Sequence, residues 1–263
     1  MPVKAKSTAV ETIEAIKTRR IIIKVVGTSP LIMHRFSFKA RQELLSPSPK
    51  KNASERASTL KHNPTEEYRE CFYRNRDPKS AALFHLPNGT VHGALAAAAL
   101  DIPGATRASI ERLTQIIGNV ELFGTPKLFM SMVRSSDMAR TPDVRTRPIF
   151  ERWACTVEIE YKTDPLTDNQ ILNLLSAAGF LVGIGDWRRQ KGGEYGAFRV
   201  ANANDADHRE ILKEGRAAQQ RAFDKPEEYD EDTSELLSWF TAEIARRGPD
   251  DSRVRDDNSG ALQ

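Results

Sequence analysis

The chain has 263 residues, 39% of them hydrophobic and 29% charged, enough apolar material for a sizeable core but too polar to be buried throughout. No apolar run approaches the roughly 18 to 20 residues that span a bilayer, and no signal-peptide core opens the sequence, so a cytoplasmic protein is expected. Cys71 and Cys155 are the only cysteines, far apart and without metal-type spacing, which argues against a disulfide framework or a zinc site.

The net charge of +3 hides an uneven distribution. Residues 201–263 carry 9 Lys and Arg against 16 Asp and Glu, which leaves 30 cations and 20 anions in the first 200 residues. A basic body with an acidic tail is a recurring arrangement among nucleic-acid binders.

In chain order, residues 1–20 form a polar arm. Ile21 to Val26 is almost wholly β-branched and ends at Gly27, which predicts a buried strand. Thr28-Ser29-Pro30 breaks it, Leu31-Ile32-Met33 returns to apolar surroundings, and Ser37 caps a helix over 38–45. Residues 46–80 hold four prolines and little periodicity; they read as an insertion projecting from the core, with a short helix near Glu66 to Tyr73. Ala81 to Leu86 is a strand closed by Pro87-Asn88-Gly89, and Thr90 caps an alanine-rich helix to Leu100. Ala108 to Ile117 reads as a second helix, with Ile110, Leu113, Ile116 and Ile117 on one face. Strands are expected over 120–123 and 127–133.

Residues 134–147 lack apolar periodicity and read as a loop or hairpin tip carrying Arg134, Arg140, Arg145 and Arg147. Trp153, Cys155, Val157, Ile159 and Tyr161 then alternate with smaller or polar residues, the clearest strand in the chain. Thr167 to Gln170 matches a capping box before an apolar helix ending near Val182.

The stretch Gly183 to Phe198 follows, with glycines at Gly183, Gly185, Gly192, Gly193 and Gly196 and cations at Arg188, Arg189 and Lys191. Clustered glycine implies tight bending or close approach, and the interleaved cations point to a phosphate chain as what is approached. The stretch follows a helix and precedes a strand, Ala197 to Val200, so a nucleotide-binding P-loop, which follows a strand and opens a helix, does not fit. Beyond it lie a polar helix over 205–223, an acidic linker to Asp232, a short amphipathic helix to Arg246, and a final segment with the composition of disorder.

This order predicts an α+β, ferredoxin-like βαββαβ palm over residues 21–200, with insertions at about 46–80 and 134–148 and an acidic helical extension over 201–263. Three segments carry a further resemblance: Val26-Gly27-Thr28-Ser29-Pro30-Leu31, Leu86 through Leu95 with its Pro87-Asn88-Gly89 helix start, and Gly183-Ile184-Gly185 through Gly196-Ala197-Phe198. In this order they resemble the RAMP superfamily of CRISPR-associated proteins, above all its guide-RNA-binding backbone subunits. His92 stands where that family usually has a basic residue.

The resemblance implies an RNA-recognition-motif-like palm with a protruding thumb or finger, formed here by one of the two insertions. It also implies copies stacked side by side along single-stranded RNA, within a multi-subunit ribonucleoprotein complex. Backbone gripping calls for dispersed cations. The candidates are His34, Arg35, Lys39 and Arg41 after the first strand, Arg134, Arg140, Arg145 and Arg147, and Arg188, Arg189 and Lys191 in the glycine stretch. Trp187 is placed to stack on a base or to lid the core, and Phe36 reads first as a core residue.

The expected function is therefore non-catalytic binding of single-stranded RNA or DNA, without cofactor or metal. Metal-independent RNA cleavage by His34 is the alternative, and the resemblance adds Asp137 or Asp143 as promoters of cleavage. A scaffold that binds only protein is the third reading. The acidic tail either solvates the chain or occupies a basic groove.

Overall fold

β-branching opens the fold. Thr18–Gly27 forms β1, with Ile23, Val25 and Val26 buried. The computed structural model describes residues 15–46, 60, 62–134 and 142–247. After β1 come β2 (Leu31–Ile32), α1 (Phe38–Leu45), α2 (Pro64–Glu70), β3 (Phe84–Leu86), α3 (Asn88–Ala98), α4 (Arg107–Leu113), β4 (Thr114–Ile116) and β5 (Val120–Phe123). The chain continues through β6 (Pro126–Arg134), β7 (Pro142–Phe150), β8 (Ala154–Lys162), α5 (Asp168–Ala177), β9 (Phe198–Val200), α6 (Ala206–Asp224) and α7 (Glu231–Arg247).

The protein is α+β, built on antiparallel sheets. The larger sheet runs β3-β5-β8-β1-β9, with β4 also paired to β8. β1 pairs with β8 from Thr18↔Lys162 to Val26↔Ala154 and with β9 on its other side. The alternation expected of β8 holds: Trp153, Cys155, Val157, Ile159 and Tyr161 are all buried. α3 and α5 pack on the face that carries Ile23 and Val25; Thr167 caps α5 through the capping box with Gln170. A smaller sheet, β2-β7-β6, stands beside the first.

Four expectations need correction. The run 114–117 is not helical: Thr114 and Ile116 are buried and pair with Tyr161 and Ile159 of β8, so the alternate-residue period wins over the helical spacing that Ile110 and Leu113 began. Residues 142–147 are not a loop tip but most of strand β7, paired with β6 from Arg134↔Pro142 to Pro126↔Phe150. The second half of the 46–80 insertion does not project: Tyr68 and Phe72 are 0% and 1% exposed, and Phe72 stacks on Phe84 with centroids 4.0 Å apart. His62 ties the same segment to β7, its ring nitrogens 2.6 Å from Glu67 and 2.9 Å from Asp143.

The fourth correction concerns the C-terminal extension, which is built into the body as far as Arg247. Adjacent residues of β1 point to opposite faces, so Val26 lies opposite the α3 and α5 side. There it packs with Phe123, Ala154 and Ile211 of α6. Arg216 of α6 donates to the carbonyls of Asn75, Asp77, Ser80 and Ala82. The linker to α7 runs along the open edge of β6: Leu128 donates to Glu227 at 2.7 Å and accepts from Tyr229 at 2.9 Å. An edge strand left unpaired is a liability, and this contact covers it. Residues 248–263, expected to be disordered, lie outside the described residues, as do Arg140, Asp137 and residues 1–14 of the expected arm over 1–20, whose last residues, Thr18 to Arg20, belong to β1.

Gln219, 0% exposed, shows how tightly the extension is held. Its Oε1 accepts from the Leu83 N–H at 2.7 Å, and its Nε2 donates to Leu122 and Gly124 carbonyls at 2.8 and 3.0 Å. Gln219→Ala strands three buried backbone groups, so urea denaturation should show a loss of about 3 kcal/mol. A loss under about 1 kcal/mol would mean that α6 only rests on the surface.

Candidate nucleic-acid interface

The glycine stretch is shaped first by its own packing. Ile184 N–H donates to Gly196 at 2.9 Å, Gly196 N–H to Pro30 at 2.7 Å, and Asp186 N–H to Ile32 at 2.9 Å. The base of the loop is thereby sewn to Pro30 before β2 and to β2 itself. Gly185 has φ +83°, and a Cβ there would sit 2.6 Å from the Ile32 carbonyl oxygen; a Cβ on Gly196, φ +70°, would collide with the Ile184 carbonyl. Gly183 and Gly193 likewise face the chain's own backbone, whereas a Cβ on Gly192 would meet nothing within 4 Å. Close approach, expected to be to a phosphate, is at four of the five glycines an approach to protein.

What holds the loop down is Asp186. Its Oδ2 lies 2.5 Å from Arg147 Nη1 and 3.3 Å from His34 Nδ1. Arg147 is 2% exposed and also donates to Ser131 Oγ at 2.6 Å. The hydrogen bond from His34 and the Arg147 guanidinium hold the Asp186 carboxyl well below the usual carboxylate range, against the opposing push of burial. Arg147, expected among the phosphate contacts, is thus an internal counter-charge with no face in solvent.

Above this clip lies a cleft of about 480 Å³ where three segments distant in sequence meet: Met33 and His34 after β2, the first turns of α3 with Leu86 and Pro87 before them, and Gly183 to Lys191. Arg188, Lys191 and Arg107 stand among its lining residues. Arg188 braces the loop, donating to Gly185 and Gln190 at 3.5 and 3.2 Å, and Arg107 pairs with Glu111 at 2.9 Å. Gly89 and Gly93 leave the α3 wall bare: a Cβ at either would meet nothing within 4 Å.

The other expected residues lie elsewhere. Arg189 does not line the cleft; it donates to the Phe180 carbonyl at 3.0 Å and sits 5.2 Å above the Phe180 ring. Arg35 donates to the Phe72 carbonyl at 3.4 Å and lies over Tyr73. Arg41 folds back on Ser37 and Phe38, and Lys39 lies in the same helix, α1. Arg134 and Arg145 are exposed on β6 and β7, outside the cleft. Trp187 is 43% exposed with φ +51°, its ring 5.8 Å from Tyr195, and Phe36, expected in the core, is 64% exposed.

Asp186, Gly93, Tyr73 and Gln190 belong to the site but escaped the sequence reading. Asp186 had a signal, a lone acid in a cationic stretch, yet nothing local to it named Arg147 as its partner. Among the described residues no group of three or more His, Cys, Asp or Glu side chains is arranged to hold a metal, and no helix is long and apolar enough to cross a membrane.

No protein-family model matches the chain, and no curated protein matches it. Among solved structures it is similar to Cmr6 from Pyrococcus furiosus, at 8% identity and a TM-score of 0.37, over 70% of this chain and 98% of that one. A likeness of that degree carries no argument about the site.

Asp186→Asn leaves the Arg147 charge buried without its counter-charge. The expected loss is about 3 kcal/mol, at the low end for a broken buried pair because the Asp186 side chain keeps 35% of its surface in water. The carboxyl is depressed in the folded state, so its contribution is present above about pH 4 and lost as pH falls further. Denaturation from pH 7 to pH 3 should therefore show the gap between wild type and variant closing at the acid end; a gap independent of pH would contradict the role given to Asp186.

Proposed function

We propose that this chain binds single-stranded nucleic acid, RNA in preference, by its phosphate backbone, and that copies lie side by side along the strand in a multi-subunit complex. One observation carries the reading. Residues 33–34, 86–97 and 183–191, far apart in the chain, line one cleft whose rim holds Arg188, Lys191 and Arg107. Two of these segments belong to the motifs that resemble RAMP proteins, and the third adjoins the first such motif.

The same proposal includes a ferredoxin-like palm. Its support is the order β9-β1-β8-β5, all antiparallel, with α3 between β1 and β5 and α5 between β8 and β9. On this reading the β6–β7 hairpin is the thumb, and its exposed Arg134 and Arg145 add phosphate contacts outside the cleft. The palm spans residues 21–200, and α6 covers one end of its remaining face.

A second reading has one observation in its favour. His34 lines the cleft and is oriented by Asp186, and a positioned imidazole is suited to acid–base cleavage of RNA. Cleavage of labelled RNA in EDTA that disappears in His34→Ala would replace the binding reading with this one.

Arg188→Ala with Lys191→Ala removes two rim cations, neither of them in an ion pair among the described residues. Affinity for all single-stranded sequences should fall alike, and the slope of log affinity against log salt should flatten by about one to two units. A loss confined to some sequences would contradict backbone gripping.

A further inference from the structure

The cleft has a part that backbone gripping does not use. A phosphodiester needs cations and N–H donors. The floor here is instead apolar, made by Met33, Leu86, Ala94, Ala97 and Ile184, each 8% exposed or less. Apolar groups beside polar ones suit a base with its phosphate, and about 480 Å³ lies within the ~300–1,000 Å³ that small-molecule sites span.

Resting on the nucleic-acid reading, we propose that the cleft takes one whole nucleotide, its phosphate on the Arg188 and Lys191 rim and its base inserted against the apolar floor. The wall of α3 has room for a flat ring because Gly93 presents bare backbone there. Tyr73 adds an aromatic side to the same cleft, and Thr90 and Gln190 supply hydrogen-bonding groups. Asp186 is the one acid in the lining among the described residues, and its charge is already matched by Arg147, so it opposes an incoming phosphate little. The nucleotide is either one unit of a bound strand or a free mononucleotide; the chemistry of the cleft is the same for both.

Gly93→Leu tests this in the full chain. Gly93 lies within helix α3, without a positive φ and with open space at its Cβ position. Leucine therefore fills the cleft, and it is a better helix former than glycine. Binding of UMP, AMP, ribose 5-phosphate and inorganic phosphate is measured by calorimetry, and each is used to compete against fluorescent oligouridylate of twelve residues. The wild type should take UMP or AMP at least 10-fold more tightly than ribose 5-phosphate, and Gly93→Leu should abolish that preference while leaving ribose 5-phosphate unchanged.

Equal binding of nucleotide and ribose 5-phosphate by the wild type overturns the proposal, whether or not the variant folds. So does an unchanged preference in a folded Gly93→Leu. Mononucleotide binding without oligouridylate binding upholds the nucleotide site with a free nucleotide as its ligand and sinks the strand-binding reading. Competition between the two upholds both.

Discussion

Asp186 and Arg147 join parts of the chain that lie far apart in sequence. The glycine stretch comes off the last core helix region, Arg147 comes from the smaller sheet, and His34 comes from the turn after β2; all three converge on a single carboxylate. A guanidinium buried this deeply is tolerable only with a fixed counter-charge. Together with the backbone hydrogen bonds to Pro30 and Ile32, the pair fixes where the loop sits, and with it where Arg188 and Lys191 stand relative to α3. The cleft is a consequence of that placement.

The second constraint is the fate of the large sheet's other face. In RNA-recognition motifs that face offers aromatic rings for bases to stack on. Here it is divided. One end is covered by Ile211 and its neighbours on α6. The other carries Arg20, paired with Glu160 at 3.0 Å and Glu158 at 3.7 Å, beside an exposed Ile22. A ladder of matched charges has little to offer a base. The same helix that covers the sheet leads into the linker that completes the β6 edge, so the acidic extension is a structural roof as far as Arg247. This leaves the cleft, on the α3 side, as the surface where cations, apolar floor and bare backbone coincide.

Much of the frame was legible because it rests on local rules. The alternation from Trp153 to Tyr161, the β-branched run of β1 and the Thr167 capping box each announce themselves within a few residues, and each is present. Three of the failures share one cause, a partner remote in sequence. Arg147 reads as a solvent cation until Asp186 is placed beside it. Thr114 and Ile116 continue an apparent helix until β8 recruits them. Phe72 lies in a proline-rich insertion and becomes core only through Phe84. The glycine stretch was recognised as a close-approach loop, but what it approaches is chiefly Ile32, Ile184 and Trp187 of its own chain.

On the proposed reading, a single strand lies where residues 33–34, 86–97 and 183–191 meet. Photo-crosslinking the full chain to RNA carrying 4-thiouridine, with the attached peptides mapped by mass spectrometry, tests it most directly. Adducts should concentrate on those segments and on Tyr73. Adducts confined to the Arg20 to Lys24 face of β1 or to α7, with the cleft segments unlabelled, would contradict it.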